Sequence, residues 1–148
     1  GSDIPLFLNQ KDCFVRGKGD LISNISFPKY YFLLIKPNYA CSTKKMYKSL
    51  ISSDFDYNIE QDLEDINDQD NGNDFEKIIK KTEPEFINIT NFLENLKGVI
   101  FTRLTGSGSC LFSVFETKED AHKAKINFSK KFPSLWNITA ENNMLNIF

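Results

Sequence analysis

Residues 99–115 read VIFTRLTGSGSCLFSVF, two apolar runs on either side of a turn rich in Gly and Ser. Such runs favour strands, and a short Gly-containing connection favours a hairpin between them. Two interpretations of the turn at residues 105–109 stay open. Its small residues allow backbone amides to approach an anion such as phosphate, or its glycines only supply the positive φ angles that a hairpin needs.

Helix and strand signals on both sides of this hairpin complete an α+β pattern. Phe86, Ile89 and Leu93 follow the spacing of one helix face, and Gly98 stands where a C-terminal cap belongs. The other predicted elements are two short strands with a turn in 13–25, a strand at 30–35, a helix at 44–51 after Ser42 or Thr43, helices that Asn73 and Thr117 cap, and a strand at 136–140. This order predicts a ferredoxin-like split βαβ sandwich.

Charge and cysteine content exclude several classes of protein. The chain carries 18 Lys+Arg against 20 Asp+Glu, a net charge of -2, so no basic field is present to bind nucleic acid or an acidic membrane surface. No apolar run approaches the length of a membrane span. The three cysteines have apolar neighbours and no C-x-x-C spacing, which predicts reduced, buried thiols in a cytoplasmic protein.

An acidic stretch divides the chain. Residues 54–76 hold ten of the twenty acidic residues and no Lys or Arg, which predicts a flexible connector at about 53–72. Within it, NDQDNG at 67–72 suggests a calcium loop. That interpretation fails because Ile78 stands where the loop needs its bidentate Glu, and Asn67 and Gln69 stand at the first and third ligand positions.

Few residues outside the turn are candidates for chemistry. Asp3 lies in GSDIPLF, where the following Pro5 fixes the backbone direction, so it is either a turn residue or a general base. His122 is the only imidazole and lies mid-helix among lysines, which indicates a surface position. Neither a nucleophilic triad nor a metal site can be assembled from these residues.

In order and spacing, these segments resemble the C-terminal half of the GHMP kinase superfamily over nearly the whole chain. The pattern Gly-(Ala/Ser)-Asp-Val-Pro-Phe-Phe is similar to GSDIPLF at 1–7, and the Gly-x-Gly-Glu turn is similar to GKGD at 17–20. The helix start Asn-Asp-Leu-Glu resembles NDFE at 73–76. The third family motif, Thr-Gly-(Ser/Thr)-Gly-(Ala/Ser)-Cys-Val-Phe, resembles residues 105–112.

The resemblance implies ATP-dependent phosphorylation of the 2-hydroxyl of 4-diphosphocytidyl-2-C-methyl-D-erythritol, a step of non-mevalonate isoprenoid biosynthesis, with ATP and Mg²⁺ as cofactors. Asp3 would be the catalytic base and Thr43 would line the substrate side. The implied substrate-binding residues of the turn are Thr105, Gly106, Ser107, Gly108 and Ser109.

The sequence departs from the family by lacking its Pro-x-x-x-Gly-Ser-Ser-Ala-Ala phosphate loop and its assisting lysine. In the family both belong to an N-terminal half, which would supply most of the contacts to ATP and Mg²⁺. We therefore expect residues 1–28 to end an incomplete N-terminal kinase domain, residues 29–148 to form the C-terminal domain, and the chain alone to be inactive. Apolar surface left by the missing half would allow a homodimer.

Two alternatives to this function stay open. The first is a non-catalytic ferredoxin-like module that binds a ligand or a partner and needs no second half. The second is a different GHMP kinase, such as a homoserine or mevalonate kinase, that shares Asp3 and the Gly-rich turn.

Overall fold

The computed structural model describes residues 8–9, 13–17, 19–26, 28–50 and 72–142. The backbone divides into two units, Gly1–Tyr30 with Glu141–Phe148, and Tyr31–Ala140. Asp3 and nearly all of the predicted connector lie outside the described residues. No helix in the described part of the chain combines the length and apolar character needed to cross a bilayer.

The first unit contains a two-stranded antiparallel hairpin. Strand β1 is Cys13–Arg16 and strand β2 is Leu21–Asn24, with Cys13 opposite Asn24. The turn between them includes Gly17 and Gly19, whose φ angles are +67° and +88°. The prediction of two short strands and a turn in 13–25 is thus confirmed.

A four-stranded sheet is the centre of the second unit. The strands are β3 Tyr31–Lys36, β4 Val99–Leu104, β5 Leu111–Phe115 and β6 Trp136–Glu141. Their spatial order is β4-β5-β3-β6, and β5 runs antiparallel to both β3 and β4. Leu104 pairs with Leu111 at the end of the hairpin, so the Gly-rich turn projects from this end of the sheet.

The described residues of the second unit form four helices: α1 Thr43–Ser49, α2 Phe75–Thr82, α3 Pro84–Glu94 and α4 Lys118–Lys131. The strands before and after α3 are separated in the sheet by β5, and the strands before and after α4 are separated by β3. Two βαβ units interleaved in this way are the split βαβ arrangement. The predicted α+β, ferredoxin-like fold is therefore confirmed.

The core forms between one face of the sheet and the helices. Leu33, Ile35, Leu111 and Phe115 come from alternate positions of β3 and β5 and are fully buried. The apolar face of the helices completes this core with Phe86, Ile89, Leu93, Ala121, Ala124 and Phe128. Alternation along the strands and spacing by three and four along the helices are the patterns that place these side chains on one face each.

Helix boundaries differ from the predictions at two places. Helix α1 begins at Thr43, with Ser42 as its N-cap residue, and ends at Ser49, because Leu50 adopts an extended conformation. Helix α3 ends at Glu94, before two further turns in which Leu96 and Val99 donate backbone hydrogen bonds. Gly98, with φ of +79°, therefore leads the chain into β4 and does not cap α3 directly.

Candidate functional site

The turn between β4 and β5 is closed by its own backbone. The Thr105 N–H donates to the Cys110 carbonyl oxygen at 2.9 Å, and the Gly108 N–H donates to the Thr105 carbonyl oxygen at 3.0 Å. Gly106 and Gly108 adopt positive φ angles, +54° and +89°, which residues with a Cβ adopt at a cost. We call residues 105–110 the Gly-rich loop.

Cys41 packs closely against Gly108 of the Gly-rich loop. A Cβ at Gly108 would lie 3.0 Å from the Cys41 Sγ and 3.3 Å from the Leu104 Cδ1, whereas a Cβ at Gly106 would lie in open space. The second glycine thus allows close packing, and the first one allows only a backbone turn. Ser109 is buried, with 8% of its surface exposed.

The N-terminus of α1 contacts the Gly-rich loop through a pair of hydroxyls. Thr43 Oγ1 and Ser107 Oγ lie 2.8 Å apart and share an exposed hydrogen bond, although the two residues are 64 positions apart in sequence. Thr43 and Ser107 are both among the predicted substrate-binding residues. The fold therefore brings two of these residues into direct contact.

Asn73, two residues before α2, bonds to the Gly-rich loop and the end of β4. Its Nδ2 donates to the carbonyl oxygens of Leu104 at 2.9 Å and Gly106 at 2.7 Å. Its Oδ1 accepts from the Phe75 N–H at 3.0 Å, at the start of the helix. The side-chain amide of Asn73 thus forms three hydrogen bonds: two to the Gly-rich loop and the end of β4, and one to the start of α2.

Glu76, in the first turn of α2, binds the same end of β4. Its Oε1 accepts from the Leu104 N–H at 2.8 Å, and its Oε2 lies 3.7 Å from the Lys80 Nζ. The Glu76 side chain is 15% exposed. Because β4 is an edge strand, Leu104 has no neighbouring strand on this side, and the carboxylate takes that place.

The Gly-rich loop has polar groups available for a ligand. Among the described residues, none accepts a hydrogen bond from the backbone amides of Gly106 and Ser107. The preceding residue, Thr105, is exposed and carries a hydroxyl. Successive free amides with neighbouring hydroxyls suit an anionic or hydroxyl-rich ligand, such as a phosphate or a polyol. The geometry is compatible with the ligand-binding interpretation of the turn, which stays a prediction beside the hairpin interpretation that the positive φ angles also fit.

Cys41, which packs against Gly108, and the nearby Tyr39 both have raised pKa values. Burial raises the pKa of the Cys41 thiol, and the negative charge of Glu83 raises it further. Burial also raises the pKa of Tyr39, with smaller contributions from Cys41, Glu83 and Glu85. A thiol with a raised pKa is a poor nucleophile at neutral pH, so Cys41 has a packing role here.

Metal ligands are not clustered in the described part of the chain, where no group of three or more His, Cys, Asp or Glu side chains is placed to hold an ion. His122 is exposed on α4. The described residues therefore offer a site for a ligand's polar groups and contain no assembled cation site.

Comparison with known proteins assigns the family. The family described as GHMP kinases C terminal matches residues 54–134, which is more than half of the chain. The chain belongs to the GHMP kinases. The resemblance inferred from the sequence motifs is confirmed at this level, and the matched region includes Asn73, Glu76 and the Gly-rich loop.

Individual GHMP kinases match the chain over about half of their own length. The chain is 33% identical to 4-diphosphocytidyl-2-C-methyl-D-erythritol kinase of Leptospira biflexa, over 91% of the chain and 49% of that protein. It is 31% identical to the protein of the same name from Idiomarina loihiensis, over 90% of the chain and 45% of that protein. The chain thus spans about half the length of the curated relatives that it matches.

Solved structures of GHMP kinases share the fold. A crystal structure of 4-(cytidine 5'-diphospho)-2C-methyl-D-erythritol kinase matches 94% of the chain and 53% of its own chain, with a TM-score of 0.73 at 23% identity. Homoserine kinase from Cytophaga hutchinsonii matches 87% of the chain and 47% of its own, with a TM-score of 0.54 at 17% identity. At these identities the likeness concerns the fold alone.

The predicted site residues of this GHMP kinase chain divide into three groups. Thr43 contacts Ser107, while Thr105, Gly106, Gly108 and Ser109 lie on the Gly-rich loop itself. Asp3 lies outside the described residues. Their roles in binding and catalysis stay predictions.

Asn73 and Glu76 were not among the predicted site residues. The sequence interpretation treated Asn73 as a cap and Glu76 as an acidic residue that complements the helix dipole. The signal that could have identified them was the resemblance of NDFE at 73–76 to a family motif. A helix start needs only one capping residue, so a four-residue match indicates a further role for these positions.

Proposed function

We propose that this chain supplies the C-terminal half of an ATP-dependent kinase that phosphorylates the 2-hydroxyl of 4-diphosphocytidyl-2-C-methyl-D-erythritol. The observation that carries the proposal is the hydrogen bond between Thr43 and Ser107, which joins the implied substrate-side threonine to the Gly-rich loop. The names of the relatives from Leptospira biflexa and Idiomarina loihiensis support this substrate. The reaction is a step of non-mevalonate isoprenoid biosynthesis.

The roles proposed for the residues follow from their chemistry. The carboxylate of Asp3 would accept the proton of the 2-hydroxyl, and Thr43 with Ser107 would orient the substrate by hydrogen bonds. The free amides of Gly106 and Ser107 would bind a phosphate oxygen of the substrate. ATP with Mg²⁺ supplies the phosphoryl group when bound, and catalysis of such transfers depends mainly on positioning and charge stabilisation.

Most of the contacts to ATP and Mg²⁺ would come from an N-terminal half. The 148 residues contain no Pro-x-x-x-Gly-Ser-Ser-Ala-Ala loop, and the described residues hold no cation cluster. We therefore propose that the chain binds the substrate but does not turn over alone, and that adding an N-terminal half with this loop restores activity.

The test measures ADP release and substrate affinity with the same protein. The 148-residue chain is assayed with ATP, Mg²⁺ and 4-diphosphocytidyl-2-C-methyl-D-erythritol, with and without the N-terminal half of a relative. Calorimetry gives the dissociation constant of the substrate for the wild type, for Ser107→Ala and for a control, Ser134→Ala, which removes an exposed hydroxyl before β6.

We expect ADP release only in the presence of the N-terminal half, and its loss in Asp3→Asn. Ser107→Ala should weaken substrate binding about tenfold, since a hydroxyl bond to a charged or polar ligand contributes about 1–2 kcal/mol, while Ser134→Ala should not change it. Turnover by the chain alone would refute the half-enzyme proposal.

Competition experiments separate the alternatives. If cytidine diphosphate does not compete with the substrate, a different GHMP kinase such as a homoserine kinase is favoured. Binding without any turnover, even after the N-terminal half is supplied, would favour the non-catalytic ligand-binding module.

A further inference from the structure

We propose that Asn73 and Glu76 are positioning residues of the substrate site, which hold the Gly-rich loop so that Ser107 stays against Thr43. The inference rests on the proposed function, because it names what keeps the binding groups of that site in place. Among the described residues, neither side chain forms a hydrogen bond with Thr43 or Ser107. They act on the backbone at both sides of Thr105.

The first turn of α2 replaces a missing strand at the end of β4. Leu104 is the last residue of β4, an edge strand, and both of its backbone groups bond to α2 and its cap. Its N–H donates to Glu76 Oε1 at 2.8 Å, and its carbonyl oxygen accepts from Asn73 Nδ2 at 2.9 Å. Without them, this end of the strand would be an open edge.

The same amide then fixes the first glycine of the loop. Asn73 Nδ2 also donates to the Gly106 carbonyl oxygen at 2.7 Å, so one NH₂ group spans the carbonyls on both sides of Thr105. Gly106 is exposed, and a Cβ there would contact nothing. Since side-chain packing does not hold this position, the bond from Asn73 acts with the loop's own backbone hydrogen bonds to fix the direction in which the chain enters Ser107.

Two isosteric substitutions are expected to differ in effect, because one removes hydrogen-bond donors and the other keeps the acceptor. Asp at position 73 has no donor and would place a carboxylate against two carbonyl oxygens, so Asn73→Asp removes both bonds and adds repulsion. Gln at position 76 keeps an acceptor oxygen for the Leu104 N–H, so Glu76→Gln retains the contact that Glu76→Ala loses. Shape is conserved in both substitutions, and only the polarity decides their effect.

The first arm of the test uses the ligand-free 148-residue chain. Amide hydrogen exchange at Leu104 and the amide NMR shifts of Gly106 and Gly108 report the loop backbone. We expect Asn73→Asp and Glu76→Ala to speed exchange at Leu104 about tenfold or more, and Glu76→Gln to restore most of the protection. The control is Asn137→Asp. Asn137 lies on β6, the opposite edge strand of the sheet, and its Nδ2 also donates to a backbone carbonyl oxygen, that of Leu135 at 3.1 Å.

The second arm measures the dissociation constant of 4-diphosphocytidyl-2-C-methyl-D-erythritol. Asn73→Asp should raise it about tenfold or more in the wild-type background and by much less in a Ser107→Ala background, because Asn73 acts through Ser107. A residue that only stabilises the fold would give equal losses in both backgrounds. Asn137→Asp should leave the constant within about twofold.

Unchanged Leu104 exchange in both Asn73→Asp and Glu76→Ala would overturn the inference, and so would additive losses of affinity in the double variant. If the wild-type chain binds no substrate, the proposed function fails. The exchange arm then still supports or overturns the control of the loop by α2 independently of that failure.

Discussion

At the residue scale, the two glycines of the Gly-rich loop have different constraints. Both need a positive φ, which costs a residue with a Cβ about 1 kcal/mol, but only Gly108 also contacts Cys41 closely. We predict that Gly106→Ala destabilises the protein by about 1 kcal/mol and that Gly108→Ala costs a further 1–3 kcal/mol or so from overpacking. Urea unfolding measures both.

A third variant separates strain from overpacking. Removing the sulfur with Cys41→Ala should bring the cost of Gly108→Ala close to that of Gly106→Ala, because the nearest atom to the new Cβ is gone. If Gly108→Ala costs the same with and without the Cys41 thiol, the close approach has no energetic role.

The hydroxyl of Tyr39 is buried, and no described residue forms a hydrogen bond with it. A buried donor without a partner costs about 1–3 kcal/mol, so Tyr39→Phe should stabilise the protein by about 1 kcal/mol at neutral pH. The matched control is Tyr47→Phe on α1, where the residue is 63% exposed.

The raised pKa of Tyr39 adds a pH dependence. The unfolded chain ionises Tyr39 near pH 10, and the folded chain does so only at higher pH. The stability from this group is therefore fully present below about pH 10 and is lost as pH rises through the folded value. Between pH 7 and pH 11 or so, the wild type should lose more stability in urea unfolding than Tyr39→Phe; equal losses would contradict the burial of this group.

At the element scale, two helices of the same unit begin with a hydroxyl residue at the N-cap but differ in its use. Thr117 Oγ1 accepts from the Asp120 N–H at 3.1 Å at the start of α4, whereas Ser42 makes no side-chain cap bond at the start of α1. Thr117→Ala should therefore cost about 1 kcal/mol and Ser42→Ala less than about 0.5 kcal/mol. Thermal unfolding of the two variants compares them directly.

Local patterns in the sequence predicted most of the fold, because its elements follow local rules. Phe86, Ile89 and Leu93 lie on the buried face that their spacing predicted, and Thr117 forms the predicted cap. The end of α3 was placed too late because Gly98 is suited to a helix cap and equally to the turn before β4. A glycine signals a positive φ without indicating which element it ends.

The candidate site was predictable only in part, because its contacts join distant segments. The Gly-rich loop was identified from its own composition, but the bond between Thr43 and Ser107 spans 64 positions and that between Asn73 and Gly106 spans 33. Such pairs depend on how strands and helices are arranged in space. No local periodicity encodes them, so Asn73 was recognised as a cap and its second role was missed.

At the scale of the whole molecule, the two units differ in how much apolar surface they bury. In the β1–β2 hairpin, Val15 and Leu21 are 40% and 60% exposed, while Leu33 and Val114 in the larger sheet are fully buried. Isolated two-stranded hairpins are marginally stable. We predict that amides of β1 and β2 exchange with solvent at least about a hundredfold faster than those of β3 and β5.

Native-state hydrogen exchange followed by NMR tests this difference strand by strand. The Val15–Ile22 pair of the hairpin and the Leu33–Ser113 pair of the sheet are suitable probes, since each pair lies inside its ladder. Equal protection in the two units would show that they unfold in a single cooperative step.

The position of β3 in the sheet has a consequence for synthesis on the ribosome. This apolar strand is synthesised well before its neighbours β5 and β6, and Leu33 finds its partner only when Ser113 has emerged. Through that interval β3 has two unsatisfied edges, a state that favours pairing with other chains. Nascent copies of this protein should therefore depend on chaperones that shield extended apolar segments until translation reaches β5.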